Sequence, residues 1–328
     1  MSTALARQMP PVQHAKVNGI DMAYYEVGPR GQGVPLIFCH GFPELAFSWR
    51  HQLAACEAAG IWAIAPDQRG YGLTERPEAV TDYDMEHLTG DLVGLLDHLG
   101  AAKGVFVGHD WGGIVVWQLP LMHPARVAGI IGLNTPFMRR APLDPIEGMR
   151  KVFGEDMYIV WFQKPGIADA ALAADVDKTM RFFMRKPAAV EQAAAPPAGG
   201  STFAFGDALT AWDKADTANQ LLTADELAAF VETFEASGFT GGINWYRNFS
   251  RNWERSADFP TRIDGIPCLM IMAEKDVVLS PAMADGMEEV ISDLEKVLIA
   301  DSGHWTQQEK PDEVNRLILD WMGRRFPK

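Results

Sequence analysis

The run Val105-Phe106-Val107-Gly108-His109-Asp110-Trp111-Gly112-Gly113, continued by Ile114-Val115-Val116-Trp117, narrows the folds open to this chain more than any other stretch. Its apolar, β-branched start reads as a buried parallel strand. The small residues and apolar helical spacing that follow read as a sharp turn into a helix. Asp110 falls on the bend, framed by Gly108 and Gly112 as G-x-D-x-G. That is the spacing of the nucleophile elbow G-x-S-x-G, with a carboxylate in place of the hydroxyl. Side chains at the two framing positions would collide where the strand folds back, which is why both are glycine. A helix N-terminus favours the charged carboxylate through its dipole and free N–H groups. The same place suits a helix cap, and Asp110 taken alone admits both roles.

Other segments repeat the alternation of strand and helix. Residues 34–39, 61–66, 127–133, 267–273 and 296–300 read as buried strands, and Met85–Leu99 has helical spacing. This predicts an α/β fold built on a doubly wound, mostly parallel sheet, with the site at the carboxyl ends of its strands. From 138 to 259 the strand signal nearly vanishes and helical patches replace it, which predicts a helical lid inserted between core segments 1–137 and 260–328. Within the lid, Ala193-Ala194-Ala195-Pro196-Pro197-Ala198-Gly199-Gly200 has the composition of an irregular loop, expected to border the substrate entrance. Ile20–Val27 is expected as an antiparallel edge strand, residues 28–33 as a hairpin turn, and residues 282–290 and 312–322 as helices. Pro120 should kink or end the elbow helix.

A formal net charge of −14, from 43 acidic and 29 basic residues, leaves no footprint for nucleic acid or an anionic membrane. A neutral substrate is the easier partner. The three cysteines fit buried thiols in a reducing compartment. Residues 1–11 lack the apolar core of a signal peptide, and no run has the length of a membrane span. A cytoplasmic location is therefore expected. His87 and His98 lie too far apart for a metal pair, and Asp67-Gln68-Arg69 is expected to fix its own loop.

The segments Gly-His-Asp-Trp-Gly-Gly at 108–113, His40-Gly41-Phe42-Pro43, Ala273-Glu274-Lys275-Asp276 and Gly303-His304-Trp305-Thr306-Gln307 together resemble the epoxide hydrolases of the α/β-hydrolase fold. The likeness is to the hydrolase domain of the soluble type and covers nearly the whole chain. It implies Asp110 as nucleophile, His304 as the base that activates water, and Asp276 as the acid that orients His304. It implies Phe42 and Trp111 as backbone donors of an oxyanion hole and as substrate contacts. A cis bond is expected before Pro43. Tyr158, in Met157-Tyr158-Ile159-Val160-Trp161, and Tyr246, in Asn244-Trp245-Tyr246-Arg247, match the lid tyrosines of the family. Tyr246 also shares helical spacing with Phe249 and Trp253, so packing on a helix face is a second reading of it. Likewise, His304 alone would suit a structural histidine.

The chemistry of a carboxylate narrows the substrate. It attacks esters weakly but can displace a leaving group at saturated carbon, forming an alkyl ester. Epoxide and haloalkane both suit such a nucleophile. Opening an epoxide generates an alkoxide that needs a proton, and a tyrosine phenol, with a pKa of about 10, supplies one. The expected activity is cofactor-independent hydration of epoxides to vicinal diols. The alternative is a haloalkane dehalogenase using the same Asp110, His304 and Asp276, although that family typically carries Asn where Phe42 stands. A binding protein without turnover would predict a degraded triad. Phe203, Phe205 and Trp212 are candidate pocket walls. No cofactor or metal is expected; the expected partner is a small neutral epoxide, and a homo-oligomer is compatible with the sequence.

Overall fold

The computed structural model describes residues 3–186 and 203–327. One eight-stranded sheet runs through it: β1 (Gln13–Val17), β2 (Ile20–Val27), β3 (Leu36–Cys39), β4 (Ala63–Pro66), β5 (Gly104–His109), β6 (Val127–Leu133), β7 (Cys268–Ala273) and β8 (Leu294–Ile299). Their order is β1-β2-β4-β3-β5-β6-β7-β8. The pairings from β4 to β8 are parallel, while β2 pairs antiparallel with both β1 and β4. Strands β3, β4 and β5 are buried along their whole length, so they read as continuous apolar runs with no alternation.

The chain steps from β3 to β4 on one side and then crosses to β5 on the other, so the strand order reverses between β3 and β5. Ligands of doubly wound sheets bind beyond the carboxyl ends of the strands at such a switch point. Here those two ends carry the His40-Gly41-Phe42-Pro43 loop and Asp110.

Around the sheet, α1 (Thr3–Gln8) precedes β1, α2 (Arg50–Ala58) follows β3, α3 (Met85–Leu99) leads into β5 and α4 (Trp111–Met122) leaves it. Between β6 and β7 the described residues form helices and no strand. These are α5 (Pro145–Phe153), α6 (Tyr158–Trp161), α7 (Ile167–Ala173), α8 (Val176–Phe183), α9 (Phe205–Ala211), α10 (Ala224–Ser237), α11 (Thr240–Arg247) and α12 (Phe249–Arg255). The chain closes with α13 (Thr306–Glu309) and α14 (Pro311–Arg325). Polar contacts fasten the inserted helices to the core. Arg50 Nη2 donates to Glu226 Oε1 at 2.7 Å, and the Trp245 indole donates to the Arg69 carbonyl at 3.0 Å. From the core side, the Trp305 indole donates to the Phe183 carbonyl at 2.8 Å.

Four local expectations change. Strand β2 is not at the edge, because β1 pairs outside it. The hairpin lies between these two strands, at Asn18 (φ +43°) and Gly19 (φ +82°). An Asn-Gly pair is the strongest short hairpin signal, and its positive φ angles match the strand twist. Residues 28–33 are therefore not a hairpin turn: β2 pairs with β4, and β3 lies on the far side of β4. Residues 282–290 do not form one helix but two 3₁₀ turns, Pro281–Ala284 and Met287–Glu289, separated by Gly286 at φ +78°. The stripe Tyr246, Phe249 and Trp253 spans two helices that break at Asn248. The loop 193–200 lies outside the described residues. The expected helix 312–322 lies within α14, and α4 ends two residues beyond Pro120. Asp67 accepts the Leu73 N–H within this loop and the Ala46 N–H outside it, and Arg69 is bound by Asp91 of α3, so the charged residues fix the loop as expected.

Candidate active site

Asp110 sits on the bend between β5 and α4 with φ +50° and ψ −122°. Such a backbone is costly for any residue with a side chain and clusters at functional sites. A Cβ on Gly108 would run into the Gly112 carbonyl, and one on Gly112 into the Cys39 carbonyl, so the glycine frame has a direct spatial cause. The two carboxylate oxygens have different surroundings. Oδ1 accepts the Phe42 N–H at 2.8 Å, and the Trp111 N–H also bonds the carboxylate. Oδ2 lies 3.9 Å from His304 Nε2. The Phe42–Pro43 peptide is cis.

His304 Nδ1 lies 2.9 Å from Asp276 Oδ2. Asp276 Oδ1 accepts the N–H groups of Val278 and Leu279 at 2.8 and 2.9 Å, and Asn134 Nδ2 donates to Oδ2 at 2.7 Å. Burial opposes a charge on Asp276, but His304 and these donors outweigh it and hold the carboxyl well below its usual range. Burial likewise opposes an imidazolium, yet Asp276 and then Asp110 prevail and raise His304 to about 9. Asp110 itself is pushed up by burial, against the pull of His304 and the two backbone donors.

Across from these groups stand the two tyrosines. Tyr158 opens α6 and stacks on Phe205 with centroids 4.5 Å apart. Tyr246 lies in the last turn of α11, edge-on to Phe42 at 5.4 Å and to Trp111 at 5.0 Å. Gln163 bridges the two helices, donating to the carbonyls of Ile159 and Tyr246 at 2.8 and 3.1 Å. Burial first, and then the Asp110 charge, push both phenols above their ordinary pKa, so both carry their protons at neutral pH.

Asp110, His304, Phe42, Tyr158 and Tyr246 all line one cavity of about 310 Å³. Phe205 lines it as expected, but Phe203 and Trp212 do not: Phe203 packs on Phe153, and Trp212 on Phe182. The Trp111 side chain does not line it either. Its indole is buried against Trp245, Tyr246 and Phe249, so it backs the Tyr246 ring, and its backbone N–H meets the Asp110 carboxylate. Asp276 stands behind His304, out of the cavity lining.

Several groups in the site escaped the sequence reading. Glu44, fully buried, accepts from Gly41 N–H at 2.9 Å and from Gln307 Nε2 at 2.9 Å, and lies 2.8 Å from His109 Nδ1. The other nitrogen of His109 lies 2.6 Å from the His304 carbonyl. Glu309 accepts the N–H groups of Gly303 and Trp305 at 2.8 and 2.9 Å and so shapes the histidine loop. Glu44 and His109 directly adjoin Pro43 and Asp110, and that adjacency was the available signal. Asn134 carried none, because its role arises only when β6 meets the loops after β7 and β8; Glu309 acts locally, on N–H groups six and four residues before it.

Fold and site together define an α/β-hydrolase with an acidic residue at the nucleophile elbow. The family described as alpha/beta hydrolase fold matches residues 34–311. Epoxide hydrolase A of Mycobacterium tuberculosis is 44% identical over 95% of this chain and 97% of its own length. Bifunctional epoxide hydrolase 2 of Sus scrofa is 38% identical over 93% of this chain, which spans 53% of that protein. The crystal structure of epoxide hydrolase A from Mycobacterium thermoresistibile superposes with a TM-score of 0.84 at 40% identity, covering 97% of this chain and 99% of that one. The chain belongs to the epoxide hydrolases of the α/β-hydrolase fold.

Proposed function

We propose that the protein hydrates epoxides to vicinal diols in two half-reactions through an ester on Asp110. Asp110 Oδ2 attacks an epoxide carbon, the ring C–O bond breaks, and the departing alkoxide takes a proton from Tyr158 or Tyr246. His304 then takes a proton from water, whose oxygen attacks the carboxyl carbon of the ester. The resulting oxyanion forms on Oδ1, held by the Phe42 and Trp111 N–H groups, each such donor being worth roughly 3 kcal/mol. Collapse expels the second diol oxygen, which takes the proton held by His304. The proton left on the regenerated carboxyl returns to the tyrosinate. Asp276 orients His304 and stabilises its imidazolium.

The observation that carries this reading is that two protonated phenols share one cavity with Asp110 and His304. A haloalkane would need no proton donor for its leaving group. The high pKa of His304 is also consistent with the sequence of steps: esterification removes the Asp110 charge, one of the groups that raise it, and so returns the imidazole toward its neutral, basic form.

Residues 138–259 act as the lid over a core of 1–137 and 260–328. The reacting end of the substrate is neutral and suits the apolar, aromatic inner wall. Three buried free thiols agree with a cytoplasmic setting, and the acidic net charge argues against nucleic-acid or anionic-membrane partners. The test is a rate comparison on a small panel of epoxides and bromoalkanes. Diol formation should dominate with little halide release; halide release as fast as diol formation would select the dehalogenase instead.

A further inference from the structure

The two phenols reach the cavity by unequal routes. Tyr246 sits in a stretch that the core holds on either side of it: the Trp245 indole donates to the Arg69 carbonyl at 3.0 Å, and Asn248 Nδ2 donates to the Val80 carbonyl at 2.7 Å. Tyr158 has no such support. Among the described residues the hydrogen bonds of α6 stay within the inserted helices, from its first N–H to the Phe203 carbonyl and from Gln163 back to the Ile159 carbonyl.

Gln163 is the joint between the two. Nε2 carries two hydrogens and both are used, one on the Ile159 carbonyl inside α6 and one on the carbonyl of Tyr246 itself. Its side chain stays out of the cavity lining, so it acts on the site only through what it holds. Arg247, next in sequence to Tyr246, closes the joint from the other end: Nε donates to the Phe162 carbonyl at 3.0 Å, and Nη2 donates to Asp169 Oδ2 at 2.6 Å. The Phe162 ring packs edge-on against both phenol rings, with centroids 5.7 Å from Tyr158 and 4.9 Å from Tyr246.

A proton donor acts only within hydrogen-bond reach of the oxygen it serves, and a misplacement of about 1 Å can cost about a hundredfold in rate. Two donors therefore serve one epoxide oxygen only if their spacing is fixed. Here the placement passes from the core to α11, from α11 through Gln163 to α6, and so to Tyr158. We infer that Gln163 is a positioning residue for the proton-donating step, transmitting the placement of α11 to Tyr158 so that both phenols meet the same oxygen. This rests on the reading that the phenols protonate the alkoxide.

The test follows the two half-reactions separately by stopped flow in two variants. Gln163→Met keeps the length of the side chain but removes both donors, and Gln163→Glu keeps its outline but turns an acceptor toward two carbonyls. Ester formation should slow by about tenfold or more in each. Ester hydrolysis, which uses Asp276, His304 and the oxyanion donors, should keep its wild-type rate and so report an intact fold. Because α11 remains anchored to the core, the loss should pass through Tyr158 alone: Gln163→Met should add little in a Tyr158→Phe background and have its full effect in a Tyr246→Phe background. Equal slowing of both half-reactions, or the same loss in both backgrounds, would make Gln163 a general structural tie and overturn the inference. Wild-type ester formation in either Gln163 variant would overturn it as well. Wild-type ester formation in Tyr158→Phe would instead overturn the phenol reading beneath it, and this inference with it.

Discussion

The core and the inserted helices face each other across one cavity, yet they hold their polar groups by opposite means. On the core side each charge is fixed by hydrogen bonds: Asp110 by the Phe42 N–H, and Asp276 by Val278, Leu279 and Asn134. On the inserted side the hydroxyl-bearing rings are set by aromatic packing, Tyr158 on Phe205 and Tyr246 among Phe42, Phe162 and Trp111. A carboxylate away from water stays charged only when donors and counter-charges surround it, whereas a phenol keeps its proton because it is buried. The division of labour follows from this. On the proposed mechanism the core supplies the groups that must be ionised, and the helices supply the acids that must not be.

The comparison breaks most sharply at the nucleophile. Asp110→Ala should lower diol formation by about 10⁴-fold or more, as loss of a group acting in a concerted set does; steady-state assay with an epoxide checks it. Across the cavity the loss should be graded. Tyr158→Phe and Tyr246→Phe should each slow ester formation by roughly 10²-fold, and the double variant far more, since either phenol supplies general-acid catalysis. Stopped-flow measurement of ester formation reads this directly. Full activity in Tyr246→Phe would assign that ring to packing alone.

The pH response sharpens the core side. Hydrolysis of the ester should slow as pH falls, approaching tenfold per unit below the apparent pKa, because only neutral imidazole accepts the proton of water. In the free protein His304 titrates near 9; in the ester form Asp110 carries no charge, so the apparent pKa should lie below that value. Single-turnover rates between pH 5 and 9 test this, and a flat profile would contradict it. The smallest effect is on stability. A folded pKa raised from 6.5 to about 9 contributes stability in full below 6.5 and loses it as pH rises through 9. The Tm advantage of wild type over His304→Gln should therefore narrow between pH 6.5 and 9.

The two regions also differed in how well they could be read from sequence. Core residues announced themselves because local backbone demands fix them. Asp110 needs glycines two positions away on either side, and His40-Gly41-Phe42-Pro43 and Gly303-His304-Trp305 each occupy one loop after one strand. The parallel strands were legible as apolar runs, while polar β1 was missed although Asn18-Gly19 marks its turn. In the inserted helices, packing decides which ring faces inward. Phe205, Phe203 and Trp212 are equivalent in sequence, yet only Phe205 reaches the cavity.

The central claim is that Asp110 attacks carbon, and oxygen transfer tests it most directly. With enzyme in excess over epoxide in ¹⁸O-water, a single turnover should give mostly unlabelled diol, because its new oxygen comes from the carboxylate. The label should enter Asp110, and in His304→Gln the mass of the epoxide should remain on the peptide that contains Asp110. Diol fully labelled in the first turnover, with no adduct in the His304→Gln protein, would mean direct attack by water and would reduce Asp110 to a general base.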